Sequence, residues 1–313
     1  MLKFLLRRLV SGVAMLFVIS TVAYGLIYLT GADIARTLLG QNASQEAVDL
    51  KAQQLGLDQP LLQRYVDWLS GAIRGDLGVS WFSGAQVTDL VSARLGVTLS
   101  LVVLATLISA VLATVVGVWA AIKRGWVDRV LQIVSLVGAA IPNYLVAIAL
   151  VLVVAINLAW VAPTGYVRPQ DDLAGWASSI VLPVIALTIG CVAGVAQQVR
   201  SSMIDGLRQD YVRTLRSRGL PERRVILEHV LRNAAGPALS VLALLFVGLL
   251  GGAVVIEQMF AIPGLGSLSV STTTQGDIPV IMGVVVVVAI IVLVVNLVID
   301  IVQGWLNPKA RIS

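Results

Sequence analysis

Few residues in this 313-residue chain have types that could do chemistry. Asp171 and Asp172 are neighbouring carboxylates, the groups that general acid–base work uses. They stand in a polar stretch with Pro169 and Gly175, so a solvated loop is the better reading. His229 is the single histidine and Cys191 the single cysteine. One imidazole and one thiol exclude an HExxH site, Cys/His zinc sets and a disulfide within the chain. Cys191 lies in an apolar run and reads as a small buried side chain. No lysine follows a glycine, so no GxxxxGK[ST] loop can cradle a nucleotide phosphate. There is no Gly-x-Ser-x-Gly elbow either. The expectation is a chain that is not an enzyme, with no catalytic, metal-binding or cofactor-binding residue.

What remains is polarity in unusual places. Asn143, Gln197, Gln198 and Asn296 are embedded in apolar runs, and arginines crowd residues 200–236. The hydrophobic fraction is 58%, the charged fraction 12%, and the mean hydropathy +0.93. A soluble chain is about a quarter charged. So much apolar surface cannot be hidden in one water-soluble core, and lipid must be the solvent for much of it. The net charge of +5 is then a membrane signal before it is a nucleic-acid one.

A helix needs about 20 mostly apolar residues to cross a bilayer. Six stretches qualify, near 9–29, 98–121, 131–156, 178–199, 237–256 and 279–303. The first follows Lys3, Arg7 and Arg8 as a signal peptide would. Its apolar run passes Leu26 without a small-residue cleavage site, so it is read as a retained helix. With six crossings both termini share one side. That side holds all of the 22 Lys and Arg except Arg36, Lys51, Arg64, Arg74, Arg94 and Arg168. Basic residues mark the cytoplasmic side. Residues 30–97 are then an external segment, and 200–236 a long cytoplasmic loop. Within the external segment Ser44 is expected to cap a helix running to about Leu55, and Pro60 to open another. In the second, Leu61, Leu62, Tyr65, Val66, Leu69 and Ile73 recur at helical spacing.

The loop 200–236 is far longer than a connection between two crossings requires. Met203, Ile204, Leu207, Tyr211 and Leu215 recur on one helical face. Asp210 is expected to cap a helix over Tyr211–Arg218, with Gly219 as its C′ residue. Leu220-Pro221-Glu222 opens a second helix with the apolar stripe Val225, Ile226, His229 and Val230. Such an element could be a basic membrane-surface loop or a docking knob for a cytoplasmic partner. Two defined helices around Gly219 favour docking.

The stretch QDYVRTLRSRGLPERRVILEHVLRN (Gln209–Asn233) resembles the coupling loop of binding-protein-dependent ABC importers. Its wording is most similar to the B-type permease of dipeptide and oligopeptide importers, the peptide/nickel branch. FLLRRL (Phe4–Leu9), LGLDQPLLQRYVDWLSGAIRGDLGVSW (Leu55–Trp81), FAIPGLGSL (Phe260–Leu268) and NPKAR (Asn307–Arg311) agree, so the resemblance covers nearly the whole chain. The Glu-Ala-Ala positions that name the loop fall here on Arg213, Thr214 and Leu215, and its invariant glycine on Gly219. Arg218 stands where lysine is common, and Ala235-Gly236 replaces a bulkier apolar pair before Pro237.

The resemblance implies an all-α membrane protein with the type I ABC importer permease fold and six transmembrane helices. It implies a bacterial plasma-membrane location with both termini cytoplasmic. Residues 1–93 would form an N-terminal helix and external segment, 94–304 the transmembrane core, and 305–313 a tail. It implies a second similar permease subunit, two ATPase domains and an external binding protein that delivers peptide. Asp210, Tyr211, Arg213, Thr214, Leu215, Arg216, Arg218 and Gly219 would meet the ATPase. Nickel or glutathione are alternative cargoes of the same machine. A self-sufficient channel or secondary transporter is the rival of a different class; it would need a ring of charges or broken helices holding an ion, and the sequence shows no such constellation.

Inside the membrane, Pro142-Asn143 interrupts the third stretch and reads as a kink lining a pathway. Gln197, Gln198 and Asn296 read as interhelical hydrogen-bonding groups. Gly248 and Gly252 permit close helix packing. Asp300 lies near the inner end of the last stretch, within reach of the interface.

Overall fold

A computed structural model gives the fold and describes residues 2–29, 34–123 and 125–306. The NPKAR tail lies outside the described residues. Among those described there are helices and a single isolated β-bridge, Val79 with Gln86, and no strand. Five helical stretches are long and apolar enough to cross a membrane. A sixth exists only if two pieces that meet at 93° count as one span. The contacts divide the chain into two units, each discontinuous in sequence.

One unit holds residues 2–97 and 263–293. It begins with α1 (Leu2–Leu29), then α2 (Ile34–Leu39), α3 (Gln45–Gln54) and α4 (Leu61–Ile73). Ser44 caps α3 by accepting from the Ala47 N–H at 3.3 Å, and Gly56 follows it with φ +66°, where a β-carbon would be strained. Pro60 is the N-cap of α4, and its fixed φ of −55° points the chain into the helix. Tyr65 of α4 meets α1: its hydroxyl is 2.8 Å from both Ser20 Oγ and Thr21 Oγ1. Tyr24, Ile34, Tyr65, Ile278 and Met282 form one core of the unit.

A second core joins Val87 and Val91, at the start of α5 (Val87–Lys123), to α12 (Leu265–Gln275) and the first turns of α13 (Ile278–Leu306). Asp277, 1% exposed, fastens the loop before α5: it accepts from Ser80 Oγ at 2.5 Å and from the Trp81 N–H at 3.2 Å. The helix α12 falls in a stretch expected as loop, and α5 starts eleven residues before the apolar run expected at 98. In both places polar residues interrupt the hydrophobicity while the backbone stays helical.

The other unit holds residues 98–262 and the end of the chain from 294. After α5 come α6 (Gly125–Ala140) and α7 (Asn143–Leu150), which a π-helical turn extends over Val151–Asn157. Next come α8 (Leu173–Leu207), α9 (Asp210–Ser217) and α10 (Glu222–Arg224), a second π segment (Val225–Val230), and α11 (Leu231–Met259). Asp172 caps α8 through the Ala174 N–H at 2.9 Å, which accounts for one member of the carboxylate pair.

Helix α8 is the centre of this unit, with α11, α6 and α7 packed on it. Gly117 lets α5 approach it as well: a β-carbon there would stand 2.7 Å from the Ala196 carbonyl oxygen. Cys191 is buried on α8. Glu257 of α11, 0% exposed, accepts from Thr98 Oγ1 at 2.5 Å. The end of α13 is tied to α11 by Gln303 Nε2, which donates to Ser240 Oγ at 2.9 Å.

Candidate functional site

Helix α9 is built by two breaks. The first ends α8, where the Arg208 N–H closes on the Asp205 carbonyl and Gln209 turns extended at ψ 149°. Gln209, not Asp210, is therefore the N-cap, and its side chain makes no capping bond. Asp210 occupies the first helical position instead, where its charge still suits the positive end of the helix. The second break is Gly219, at φ +77°. Its N–H donates to the Arg216 carbonyl at 2.9 Å, and the Leu220 N–H to the Leu215 carbonyl at 3.3 Å. This paired closure is a Schellman motif, and its left-handed residue strongly favours glycine.

Between the breaks α9 has two faces. Val212 is fully buried, with Tyr211 and Leu215 half-buried beside it. Beneath it lies the π segment, where Val225 and Val230 are 0% exposed and Ile226 is 8% exposed. Gly206, in the last turn of α8, makes room for Val230. Asn233 Nδ2 donates to the Tyr211 hydroxyl at 3.3 Å and so links α9 to α11. Arg213, Thr214, Arg216, Ser217, Arg218 and Gly219 all face outward.

Most of the charge is solvated. Arg213 and Asp210 are 82% and 96% exposed and 3.8 Å apart, a spacing that contributes little in water. Arg216 instead reaches across Gly219 to Glu222, with Nε donating to Oε2 at 3.0 Å. These hydrogen bonds hold the Glu222 carboxyl below the usual carboxylate range. Arg216 thus braces the turn across Gly219, while Arg213 and Arg218 remain on the outer surface with Arg208 and Arg223. Such a surface suits a broad acidic or mixed protein groove and offers no group for covalent chemistry.

The second helix of the loop is not a separate element. Glu222–Met259 runs as one rod through the π segment and past Pro237. Pro221, expected at the first helical position, is its N-cap, so the helix starts one position later. His229 is half-buried in the π segment.

Asn143 occupies the other candidate position. Pro142, at ψ 138°, is the N-cap of α7, and the chain turns through 93° between the α6 and α7 pieces. The residue before a proline is pushed out of helical geometry, which explains the break at Ile141. The expected third crossing is thus a broken helix, more sharply bent than a proline kink. Asn143 Oδ1 is 2.8 Å from the position of a β-carbon on Gly190 of α8, and its Nδ2 is 3.6 Å from that on Gly252 of α11. The side chain therefore fills a notch left by two glycines. Gly252 packs as its motif suggested, whereas a β-carbon on Gly248 would meet no other element within 4 Å among the described residues. Gln198 bonds to Ser202 Oγ at 3.0 Å on its own helix, and Asn296 is exposed.

Comparison with known proteins decides the class. Residues 113–312 match the family described as binding-protein-dependent transport system inner membrane component, and residues 1–102 match that family's N-terminal part. The chain belongs to this family. A probable peptide ABC transporter permease of Sinorhizobium fredii is 33% identical over 309 residues, covering 98% of this chain and 99% of the relative. A putative peptide transport system permease of Brucella abortus is 34% identical over 312 residues, covering 99% of each. The glutathione transport system permease of Escherichia coli K12 is 32% identical over 312 residues, again covering 99% of each.

As a binding-protein-dependent permease, the chain is the membrane subunit of an ATP-driven importer with the type I permease fold. The family's main match contains both α9 and the Asn143 notch. Sequence reasoning missed three residues around them. Val212 anchors α9, and its signal was its apolar i, i+3 spacing to Leu215. Gly206 was one glycine among 28. Asp128, in the first turn of α6, is bound by both Nε and Nη2 of Arg200 on α8, and Gln132 Nε2 also donates to it at 3.0 Å. Its signal was an isolated acid in a short basic turn, and the partner lies 72 residues away.

Proposed function

We propose that this permease carries peptides inward across the bacterial plasma membrane, with energy supplied by separate ATPase subunits. The carrying observation is α9: a capped helix with a buried valine beneath and a basic surface above, fastened to both α8 and α11. Residues 200–236 are then cytoplasmic, as are both termini, and residues 30–97 are external. Asp210, Tyr211, Arg213, Thr214, Leu215, Arg218 and Gly219 form or shape the surface that seats in the ATPase, with Arg216 bracing it. Pro142 and Asn143 set a bend in the pathway. An external binding protein delivers the cargo, and a second permease subunit completes the pore.

The energetics require a broad seat. Turning a pore from about 99% in one state to about 99% in the other takes about 5.5 kcal/mol of differential binding. An exposed ion pair supplies at most about 1 kcal/mol. A whole helix face is needed, and α9 presents one. The peptide names of two relatives support peptide cargo. A second reading, glutathione, has the support of the Escherichia coli relative's name, and glutathione is itself a small peptide.

The test is co-purification from native membranes with identification of the bound chains. An ATPase and a second permease are expected. The ligand carried by the co-purifying binding protein then separates peptide from glutathione or nickel. A chain that transports when reconstituted alone would overturn the reading in favour of a channel or secondary transporter.

A further inference from the structure

Among the described residues the main support of α6 is α8, while Ile133, Val134 and Leu136 of α6 are exposed. The two helices touch in an antiparallel register. Asp128, in the first turn of α6, meets Arg200. A β-carbon on Gly138, near the end of α6, would stand 3.9 Å from Ala193 Cβ. Asn143, just past the break, fills the notch at Gly190. Arg200, Ala193 and Gly190 follow one another back along α8, and the first and last are about 15 Å apart. The broken helix is thus pinned to α8 at both ends of α6.

The pin at Asp128 is ionic. Arg200 grips both carboxylate oxygens with Nε and Nη2, and Gln132 Nε2 donates at 3.0 Å. The Arg200 and Asp128 side chains are only 22% and 13% exposed. An apolar contact of similar size would hold two helices as firmly. A bidentate guanidinium–carboxylate pair adds direction, because its two parallel bonds fix angle and register together. Register is what a transmitted movement needs.

We propose that Arg200 and Asp128 are a positioning pair of the transport cycle: they make α6 a strut of α8, so that a displacement of α9 is delivered to the Pro142–Asn143 bend. The inference rests on the coupling role proposed for α9 and names its route. Only Arg208 and Gln209 separate α9 from the end of α8, and Arg200 lies seven residues, about 10 Å, back from that end. A push on α9 therefore moves Arg200. With the pair intact, α6 follows at its first turn as well as at Asn143, and the broken helix moves as one piece. With the pair cut, the Asn143 notch alone drags the bend, and α6 slips.

The experiment uses the assembled importer, reconstituted with its ATPase and binding protein. Uptake of a radiolabelled dipeptide, and of glutathione in parallel, is compared with ATP hydrolysis. A folding defect lowers both rates in proportion, whereas a slipping strut lowers the cargo carried per ATP. Asp128→Asn and Arg200→Gln are each expected to keep the ATPase attached and to lower that ratio about fivefold or more, the lower end of ordinary coupling between sites. The exchanged pair, Asp128→Arg with Arg200→Asp, is expected to recover most of the ratio. Arg200→Lys keeps the charge without the fork and should fall between, which keeps the test open if a neutral variant fails to reach the membrane. An unchanged ratio in the single variants overturns the proposal, and so does an exchanged pair no better than either single one. Gly219→Val distinguishes this failure from failure of the coupling role itself. An ATPase that stays attached and coupled in Gly219→Val removes the knob, whereas full coupling in every ion-pair variant, with the knob still required, removes the strut alone.

Discussion

Gly206 and Val230 can touch only because the glycine has no side chain: a β-carbon there would stand 2.9 Å from Val230 Cγ1. The same point lies 3.8 Å from the Tyr211 hydroxyl. Gly206→Ala must therefore push the π segment or α9 aside. Overpacking of this kind costs about 1–3 kcal/mol. The expected result is normal membrane abundance with a lower melting temperature and weaker ATPase retention on purification. Unchanged retention would show that α9 does not depend on this contact.

At Gly219 the constraint is the backbone. A left-handed residue with a β-carbon costs about 1–2 kcal/mol, and asparagine tolerates the region better than a β-branched residue. Gly219→Val should lose uptake and ATPase attachment while the chain still inserts. Gly219→Asn should keep much of both. Equal behaviour of the two variants in uptake assays would remove the Schellman closure from the coupling account.

Arg213 and Arg216 should separate in kind. Arg213→Ala removes a solvated charge and is expected to change uptake by less than about fivefold, since such pairs contribute about 0–1 kcal/mol. Arg216→Ala frees Glu222 and loosens the turn, so its effect should exceed that of Arg213→Ala and be copied by Glu222→Gln. Peptide-stimulated ATP hydrolysis by the assembled importer is the measurement. A larger effect from Arg213 would mean that the partner, not the turn, is what these arginines serve.

At the Asn143 notch, Gly190→Ala should displace the asparagine and, if the proposed pathway bend is right, lower uptake. Asn143→Ala empties the notch, so the double variant should transport no worse than Asn143→Ala alone. Contacting residues couple in this way, and distant ones add. Strict additivity in the double variant would separate the glycine from the asparagine.

Topology is checked by labelling. Cysteines at Lys51 and Arg216, in a Cys191→Ala chain, should react from opposite sides of sealed membranes. Reaction from the same side would overturn the six-crossing topology.

Local chemistry was readable along the chain. The Gly219 closure, the Ser44 cap and the apolar runs are all properties of a few consecutive residues. The cap of α9 was misplaced by one position because Gln209 starts α9 by backbone geometry alone, while Asp210 has the better capping side chain. What could not be read is whatever depends on distant partners. Val212 is buried by a segment 13 to 18 residues further on. Asn143 is defined by glycines on two other helices. The 93° break follows a proline, and the helices on either side of it pack on α8, which lies further along the chain.

The continuous rod Glu222–Met259 has a mechanical consequence. Its first 15 residues, up to Gly236, extend about 22 Å before the apolar run, and the 20 residues 237–256 extend about 30 Å through it. A rigid rod pivoting at Gly236, where the apolar run begins, would be a first-class lever with arms in a ratio near 3:4. A sideways step of about 3 Å at α9 reappears as about 4 Å at Ile256, in the opposite direction. With α9 as the coupling knob of the proposed function, a push there would move the two ends of the rod in antiphase, as alternating access requires.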